Sequence, residues 1–369
     1  MQSWMDQKVF NKMLQDLQKT LEYYINQYEI ADGCSTDYYC DELLVHPMGI
    51  AKYVLTLCSL YRSSLLSHSK IVQKTKQSII QLSEISIYIE ETDDIYWGLN
   101  FEWINLKKDE PYLITTALVV QSLFELANII EKDLVLKKLS EQALSSLENW
   151  VNHKHIHCNN MKISIPKYSF ILEEPVFNAP AYAYAVLLKY SLNINIKDKA
   201  SKFMNLLWQE KINGVGWKYS NANNVIDLLH TCYIQNAYFI SGDKKSKENI
   251  NELLSMINQF NCDNYFKDAL LVKNSFDEWN GNIFRYINDE QYLELKNTEA
   301  RLWSIGELLV LLSNMMKINN HPSLEKFTRN ILLKVLRSKF NEKDYFRHTM
   351  HYTHGLASFL EVIRNKKVN

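Results

Sequence analysis

The strongest constraint on this chain is an alternation between two kinds of helical segment. Apolar stretches begin near residues 47, 111, 178, 225, 298 and 350, and amphipathic stretches lie between them at 70–85, 138–152, 198–212, 247–260 and 322–340. An amphipathic helix has one wet side and one dry side, whereas a helix apolar nearly all round must be buried on every side. A chain that alternates the two can place the apolar helices inside and shield each with an amphipathic partner. The helix at 8–27 supplies a sixth outer member if the ring closes on itself. An open solenoid shares this pairing but needs polar end caps, and the terminal helices at 8–27 and 350–363 carry apolar surface with no cap beyond them. The sequence therefore predicts an all-α fold, an (α/α)6 toroid of six antiparallel hairpins. It is expected as one domain over 1–369, with residues 1–28 closing the ring. The apolar segments are unevenly spaced, so the repetition is degenerate.

Composition narrows the alternatives. Only 9 Gly and 6 Pro occur in 369 residues, which argues against a turn-rich sandwich or barrel and against a Gly-rich nucleotide fold. The formal net charge is −1, from 41 Lys plus Arg against 42 Asp plus Glu, so no overall field draws the chain to nucleic acid. No apolar run reaches the ~20 residues that a membrane helix needs, so membrane insertion is not expected. The start, MQSWMDQKVF, lacks a positive region followed by an apolar stretch and a small-residue cleavage site. The six cysteines, at 34, 40, 58, 158, 232 and 262, form no CxxC pair. Cys58 and Cys232 fall in apolar helices and read as small core residues. A reduced, cytoplasmic protein is expected, with a Cys34–Cys40 bridge in one polar loop as the weaker alternative. The sequence leaves the oligomeric state open.

The polar information concentrates before the inner helices, at 93–111, 164–180, 213–231, 276–303 and 345–355. All five stretches are rich in Trp, Tyr, Asn, Asp and His. In a toroid they gather at one end, over the mouth of the central cavity. Flat rings with short polar groups suit a saccharide or another small hydroxylated ligand. The plainer reading of any single aromatic there is a wedge between helix ends.

The order WGLNFEWINLKKDEPYLITTALV, NAPAYAYAVLL, GWKYSNANNVIDLLHTCYIQNAYF and NTEARLWSIGELLVLL resembles a family of bacterial α/α-toroid proteins. That family accompanies capsule and exopolysaccharide biosynthesis genes. It is distantly similar to prenyltransferase/squalene-cyclase-type toroids and to glucuronyl epimerase-type domains. Its Trp-Gly and Phe-x-Trp motif falls on Trp97, Gly98, Phe101 and Trp103. Its middle motif falls on Trp217, Tyr219, Ile226, Asp227, His230 and Thr231, and the resemblance spans roughly 45–363. Two departures stand out. Where the family has Asp-x-His before its fifth inner helix, this chain has Glu299, Ala300, Arg301, Leu302 and Trp303. Where it has Gly after His-Thr, this chain has Cys232.

Asp227 and His230 lie three apart at the start of an inner helix, which puts them on one face, as an acid–base pair requires. The plainer reading is a capping Asp and a core His. Asp93 and Asp94, with Asp227, Asp277, Glu278 and Glu299, can supply two carboxyls across the cavity, as glycoside chemistry needs. The alternative is surface acids in loops. ETDD is not the acid motif of a terpene cyclase, so cyclisation is rejected. His348, His351 and His354 recur every third residue, but a structural zinc site needs a further ligand and second-shell support. The cluster His153, His155, His157 and Cys158 reads as a solvated turn. The zinc set of lanthionine cyclases is missing. No phosphate-loop, dinucleotide, HExxH or GxSxG motif occurs, so no cofactor or metal is expected.

The expected catalytic residues are Asp227, His230, Glu299 and His351. The expected substrate contacts are Trp97, Trp103, Trp217, Tyr219, Arg301 and Trp303, with Arg301 pairing an anionic group. The expected activity is a carbohydrate-active enzyme working on a uronate-bearing or similar polysaccharide. It would act by proton abstraction, as an epimerase or lyase, or by glycoside hydrolysis. The alternative is a non-catalytic glycan-binding or scaffold protein of a biosynthetic assembly.

Overall fold

The computed structural model describes residues 7–103, 106–159, 161–220, 224–262, 266–273, 283–288, 291–295, 299–319, 322–337 and 345–368. The helices in chain order are α1 (Gln7–Ile30), α2 (Pro47–Arg62), α3 (His68–Glu84), α4 (Leu113–Ala127), α5 (Leu134–His153), α6 (Asn178–Tyr190) and α7 (Ile194–Gln209). They continue with α8 (Leu228–Ile240), α9 (Lys244–Glu248), α10 (Ile250–Asn258), α11 (Leu302–Ile318), α12 (Pro322–Arg337) and α13 (Phe346–Val368). Helices α2, α4, α6, α8, α11 and α13 form the inner ring. Each packs on the next and α13 closes on α2. The outer helices α3, α5, α7 and α12 back α2, α4, α6 and α11. Helices α9 and α10 stand behind α8, and α1 packs against α13. The first and last helices meet through Tyr24 and Tyr352, whose rings cross edge to face at 5.9 Å.

Local signals place the helix starts. Asp133 accepts the N–H groups of Val135 and Leu136 ahead of α5, and Asn193 does the same for Asn195 and Ile196 ahead of α7. Pro47 opens α2, where a missing N–H costs nothing, and His46 accepts from Met48 N–H. Inner helices are buried on all sides: Pro47–Ser59, Pro111–Val120 and Phe346–Ile363 have no half-exposed residue. Outer helices bury one stripe, as α3 does with Ile71, Thr75, Ser78, Ile79 and Leu82. Among the described residues no helix is long and apolar enough to cross a membrane.

The outer-to-inner connections are more ordered than the loops the sequence predicts. Strands β1 (Cys34–Asp37) and β2 (Cys40–Val45) precede α2, β3 (Ile87–Ile89) and β4 (Asp94–Tyr96) precede α4, and β5 (His155–Cys158) and β6 (Ile163–Pro166) precede α6. Each pair is an antiparallel hairpin. Strands β7 (Val225–Asp227), β8 (Ala269–Lys273), β9 (Ile283–Asn288) and β10 (Gln291–Leu295) form a sheet in the order β7-β8-β10-β9. Such short runs carry too few residues for a pattern of period two to emerge.

Two polar layers cross the ring. Inside it, Lys52 of α2 pairs with Glu307 of α11, both almost wholly buried. Glu307 also accepts from Asn236 of α8 at 3.1 Å, and Asn236 Oδ1 accepts from Asn314. At the C-terminal ends, Arg62 of α2 bonds Glu125 of α4 at 2.8 Å and Glu361 of α13 at 3.3 Å. Lys189 of α6 reaches Glu125 and Lys317 of α11 reaches Glu361. Five inner helices are thereby tied at ends where cations also complement the helix dipoles.

Candidate functional site

Because every inner helix is entered from the hairpin end, six N-termini converge there. Over them lies a cavity of about 490 Å3. Each inner helix contributes a residue near its start: Met48, Ile114, Asn178, His230, Trp303 and Arg347. The walls are aromatic, from Tyr39, Trp103, Tyr168, Tyr219, Tyr233 and Trp303. A hollow of about 300 Å3 between α1, α2 and α3 is lined by Glu29 and Lys74, which neutralise each other at 2.6 Å. Another, of about 800 Å3, lies around Tyr61–Lys70 at the opposite end of α2. Of these three, the axial cavity is the one that brings an imidazole, carboxylates and guanidiniums together.

Its ionisable centre is Asp227 with His230. Asp227 caps α8: its Oδ1 accepts the His230 N–H at 2.7 Å, and its Oδ2 lies 2.5 Å from His230 Nδ1. In the neutral ring, a carboxylate at Nδ1 favours the tautomer with the proton there and leaves Nε2 as the acceptor. Tyr219 presses edge-on against the imidazole at 4.5 Å and fixes its plane. The short i,i+3 spacing therefore makes both the cap and the acid–base pair.

The cationic side is built from two arginines. Arg347 is buried and held by both Asp37 oxygens at 2.8 and 2.7 Å, so its charge is spent on the wall. Arg301 lies 3.7 Å from Asp268, beyond hydrogen-bonding distance, and its buried Nε has no partner. Both guanidiniums lie against Trp303, at 4.7 and 4.6 Å from the ring centre. Burial raises the Asp268 carboxyl above the usual range, the Arg301 charge pulls it back, and the Asp227 charge raises it further. Asn178, 2% exposed, lines the cavity with an unpartnered Oδ1. Glu174 also lines it and accepts from Ser220.

Of the residues singled out in the sequence, Asp227, His230, Trp103, Tyr219, Arg301 and Trp303 line this cavity. Trp97 and Trp217 do not. Both are fully buried, with their indole N–H groups donating to the carbonyls of Leu82 and Leu207. His351 has no exposed surface and lies beneath Tyr233, which it hydrogen-bonds at 2.8 Å. Glu299 is exposed, pairs through its backbone with Lys267 and is not among the residues that line the cavity. Asp94 accepts from Asn149 and Tyr96, and Asp93 from Tyr88, so both secure the β3–β4 hairpin. Asp277 and Glu278 lie outside the described residues. Among the described residues, no group of three or more His, Cys, Asp or Glu side chains is arranged to hold a metal ion. None of the six cysteines is in a disulfide.

Several cavity residues carried no individual signal in the sequence. Tyr39 arrives on the β1–β2 hairpin and Tyr168 follows β6; Asp268, which stands beside the cavity residue Arg301, precedes β8. Asn178 and Arg347 had a usable one, because each opens an apolar helix.

No family model matches the chain, and no curated protein matches it in sequence. Solved structures do share its shape. A cellobiose 2-epimerase from Bacillus thermoamylovorans superposes with a TM-score of 0.61 at 10% identity, covering 96% of this chain and 100% of that one. A sugar epimerase from a ruminal bacterium gives 0.60 at 11% identity, over 96% and 99% of the two chains. A GH76 α-mannanase from Bacteroides thetaiotaomicron gives 0.59 at 8% identity, over 94% and 97%. At such identities the likeness is one of fold: an α/α toroid of the kind found in sugar epimerases and glycoside hydrolases.

Proposed function

We propose that this protein is a carbohydrate-active enzyme that abstracts a proton from a uronate-bearing saccharide bound in the axial cavity. The observation that carries this reading is the Asp227–His230 pair facing a cavity that also holds Arg301. With Asp227 on Nδ1, the His230 Nε2 is free to take a proton from carbon. The acidic C–H of a uronate lies next to its carboxylate, and its removal throws charge onto the carboxylate oxygens. Arg301 supplies a cation for those oxygens, and the converging helix N-termini favour the same sign of ligand, each by ~0.3–1 kcal/mol. Delivery of a proton from water to the opposite face, with the first proton passing from His230 to solvent, gives an epimer. Loss of the neighbouring O-linked group instead gives an unsaturated lyase product.

Glycoside hydrolysis is less well supported. It needs a carboxyl pair spanning the scissile bond, and here Asp227 is tied to His230 and Glu174 to Ser220. The shared fold with two sugar epimerases supports carbohydrate chemistry in general. The sequence resemblance to toroids of capsule and exopolysaccharide gene clusters supports a role in polysaccharide biosynthesis, in the cytoplasm.

Incubation with uronate-containing oligosaccharides in D2O tests the reading. Deuterium is expected at the carbon next to the carboxylate, and His230→Gln should abolish its entry. A wild-type protein that binds these oligosaccharides but exchanges no proton and forms no product would instead be a glycan-binding module.

A further inference from the structure

Beneath the floor of the cavity lies a second imidazole, wired differently from His230. His351 Nδ1 lies 2.5 Å from the backbone carbonyl of Arg347, one turn earlier in α13. A carbonyl only accepts, so Nδ1 carries a proton and donates it. The other nitrogen, Nε2, lies 2.8 Å from the Tyr233 hydroxyl. If the ring is neutral, Nε2 is an acceptor and the tyrosine must donate its only proton to it.

The surroundings keep the ring neutral. His351 is fully buried, and burial, the Lys52 ammonium and the charges of His348 and Arg347 push it well below the usual histidine range, against the opposing hydrogen bond to the Arg347 carbonyl. Glu307 is a carboxylate nearby, with Oε1 at 3.9 Å from Nε2, but it is already engaged by Lys52 and Asn236. Burial and the Glu307 charge likewise push Tyr233 well above the usual range, so it stays a phenol. Tyr233 lines the cavity, and His351 is its one hydrogen-bond partner among the described residues. Its oxygen lone pairs are therefore unused while its proton is committed.

We propose that Tyr233 is an obligate hydrogen-bond acceptor on the cavity floor, held in that state by His351, and that it selects ligands presenting a hydroxyl donor there. The proposal rests on the saccharide reading of the cavity, but it assigns His351 a positioning role and gives it no share in proton transfer with the ligand. A ligand bearing only an acceptor at that place would leave two oxygens facing each other, which a buried site penalises strongly.

Long-range 1H–15N spectra of the wild-type protein test the wiring without any substitution in the protein observed. The His351 signals are assigned by their absence in His351→Asn. The expected pattern is a protonated Nδ1 and a bare Nε2 throughout pH 6–8. A protonated Nε2 would reverse the direction of the tyrosine hydrogen bond and overturn the proposal. Calorimetry with sodium D-glucuronate tests the consequence: Tyr233→Phe is expected to weaken binding about tenfold, the scale of one lost hydrogen bond. Unchanged affinity in a folded Tyr233→Phe protein also overturns it. If the wild type binds neither D-glucuronate nor uronate oligosaccharides, the saccharide reading fails and takes Tyr233's selecting role with it. The imidazole spectrum then shows separately whether the wiring was right.

Discussion

Asp227 holds His230 at two points, through the backbone N–H and through ring Nδ1. One carboxylate thus starts the helix and aims the imidazole. The two roles are separable by mutation. His230→Gln leaves the cap in place and is expected to fold, bind ligand and lose ~10²-fold or more in turnover, the scale of a lost acid–base group. Asp227→Ala removes the cap as well and should cost ~1 kcal/mol of stability in addition to the rate. Thermal melts paired with turnover on uronate oligosaccharides measure both. A fully active His230→Gln protein removes the imidazole from the chemistry.

The Lys52–Glu307 pair is 1% exposed on both sides. Removing one partner strands a charge in the ring, so Lys52→Met should destabilise by about 3–5 kcal/mol. The double substitution Lys52→Met with Glu307→Leu is expected to recover most of that loss. Urea titration of the single and double variants checks this. A double variant no more stable than Lys52→Met would show that the pair contributes more than it costs to bury.

Helices α11 and α13 meet through glycines. A Cβ on Gly306 would lie 2.3 Å from the main-chain carbonyl atoms of His351, and one on Gly355 would lie 2.5 Å from the Gly306 carbonyl oxygen. Neither contact involves a side chain that can swing away. Gly306→Ala should therefore push the helices apart and cost at least ~1–3 kcal/mol, the usual penalty of overpacking. It should also disturb the Tyr233–His351 contact, visible as a shift of the His351 ring signals. An alanine variant as stable as wild type would mean that the two helices slide without penalty.

Acid should destabilise the fold in two stages. His46, His351 and His354 are buried, and burial, the first cause for each, keeps them well below their usual 6.5. The unfolded chain takes up those protons first, so stability is lost as pH falls below about 6.5. Burial alone would raise the Glu125 carboxyl from its usual 4.5, but Lys189 and then Arg62 hold it down at about 2. Its contribution is complete above 4.5 and disappears as pH falls towards 2. Chemical denaturation from pH 8 to pH 3 should show both slopes. His354→Leu is expected to reduce the first slope, and Glu125→Gln the second. A flat profile between pH 7 and pH 5 would contradict the buried neutral histidines.

What the sequence determined by itself is the ring. Helix burial is recorded locally, because a helix apolar all round and one apolar on a single stripe differ within four or five turns of chain. The alternation therefore shows which helices are inside. The Asp227–His230 pair was legible for the same reason, since both groups sit on one turn of one helix. The tertiary structure decided everything that joins distant segments. Asp37 meets Arg347 from a hairpin at the far end of the chain, and Tyr233 of α8 meets His351 of α13. It also separated like from like: Trp103 and Trp303 face the cavity, while Trp97 and Trp217 are spent on the carbonyls of Leu82 and Leu207. Residue type and spacing are the same evidence for all four. Trp303 lies on α11, but Trp97, Trp103 and Trp217 lie in the connections that lead into α4 and α8. Whether such a ring looks into the cavity or into the wall depends on how each connection is laid against the helices around it, which the local pattern of the sequence does not contain.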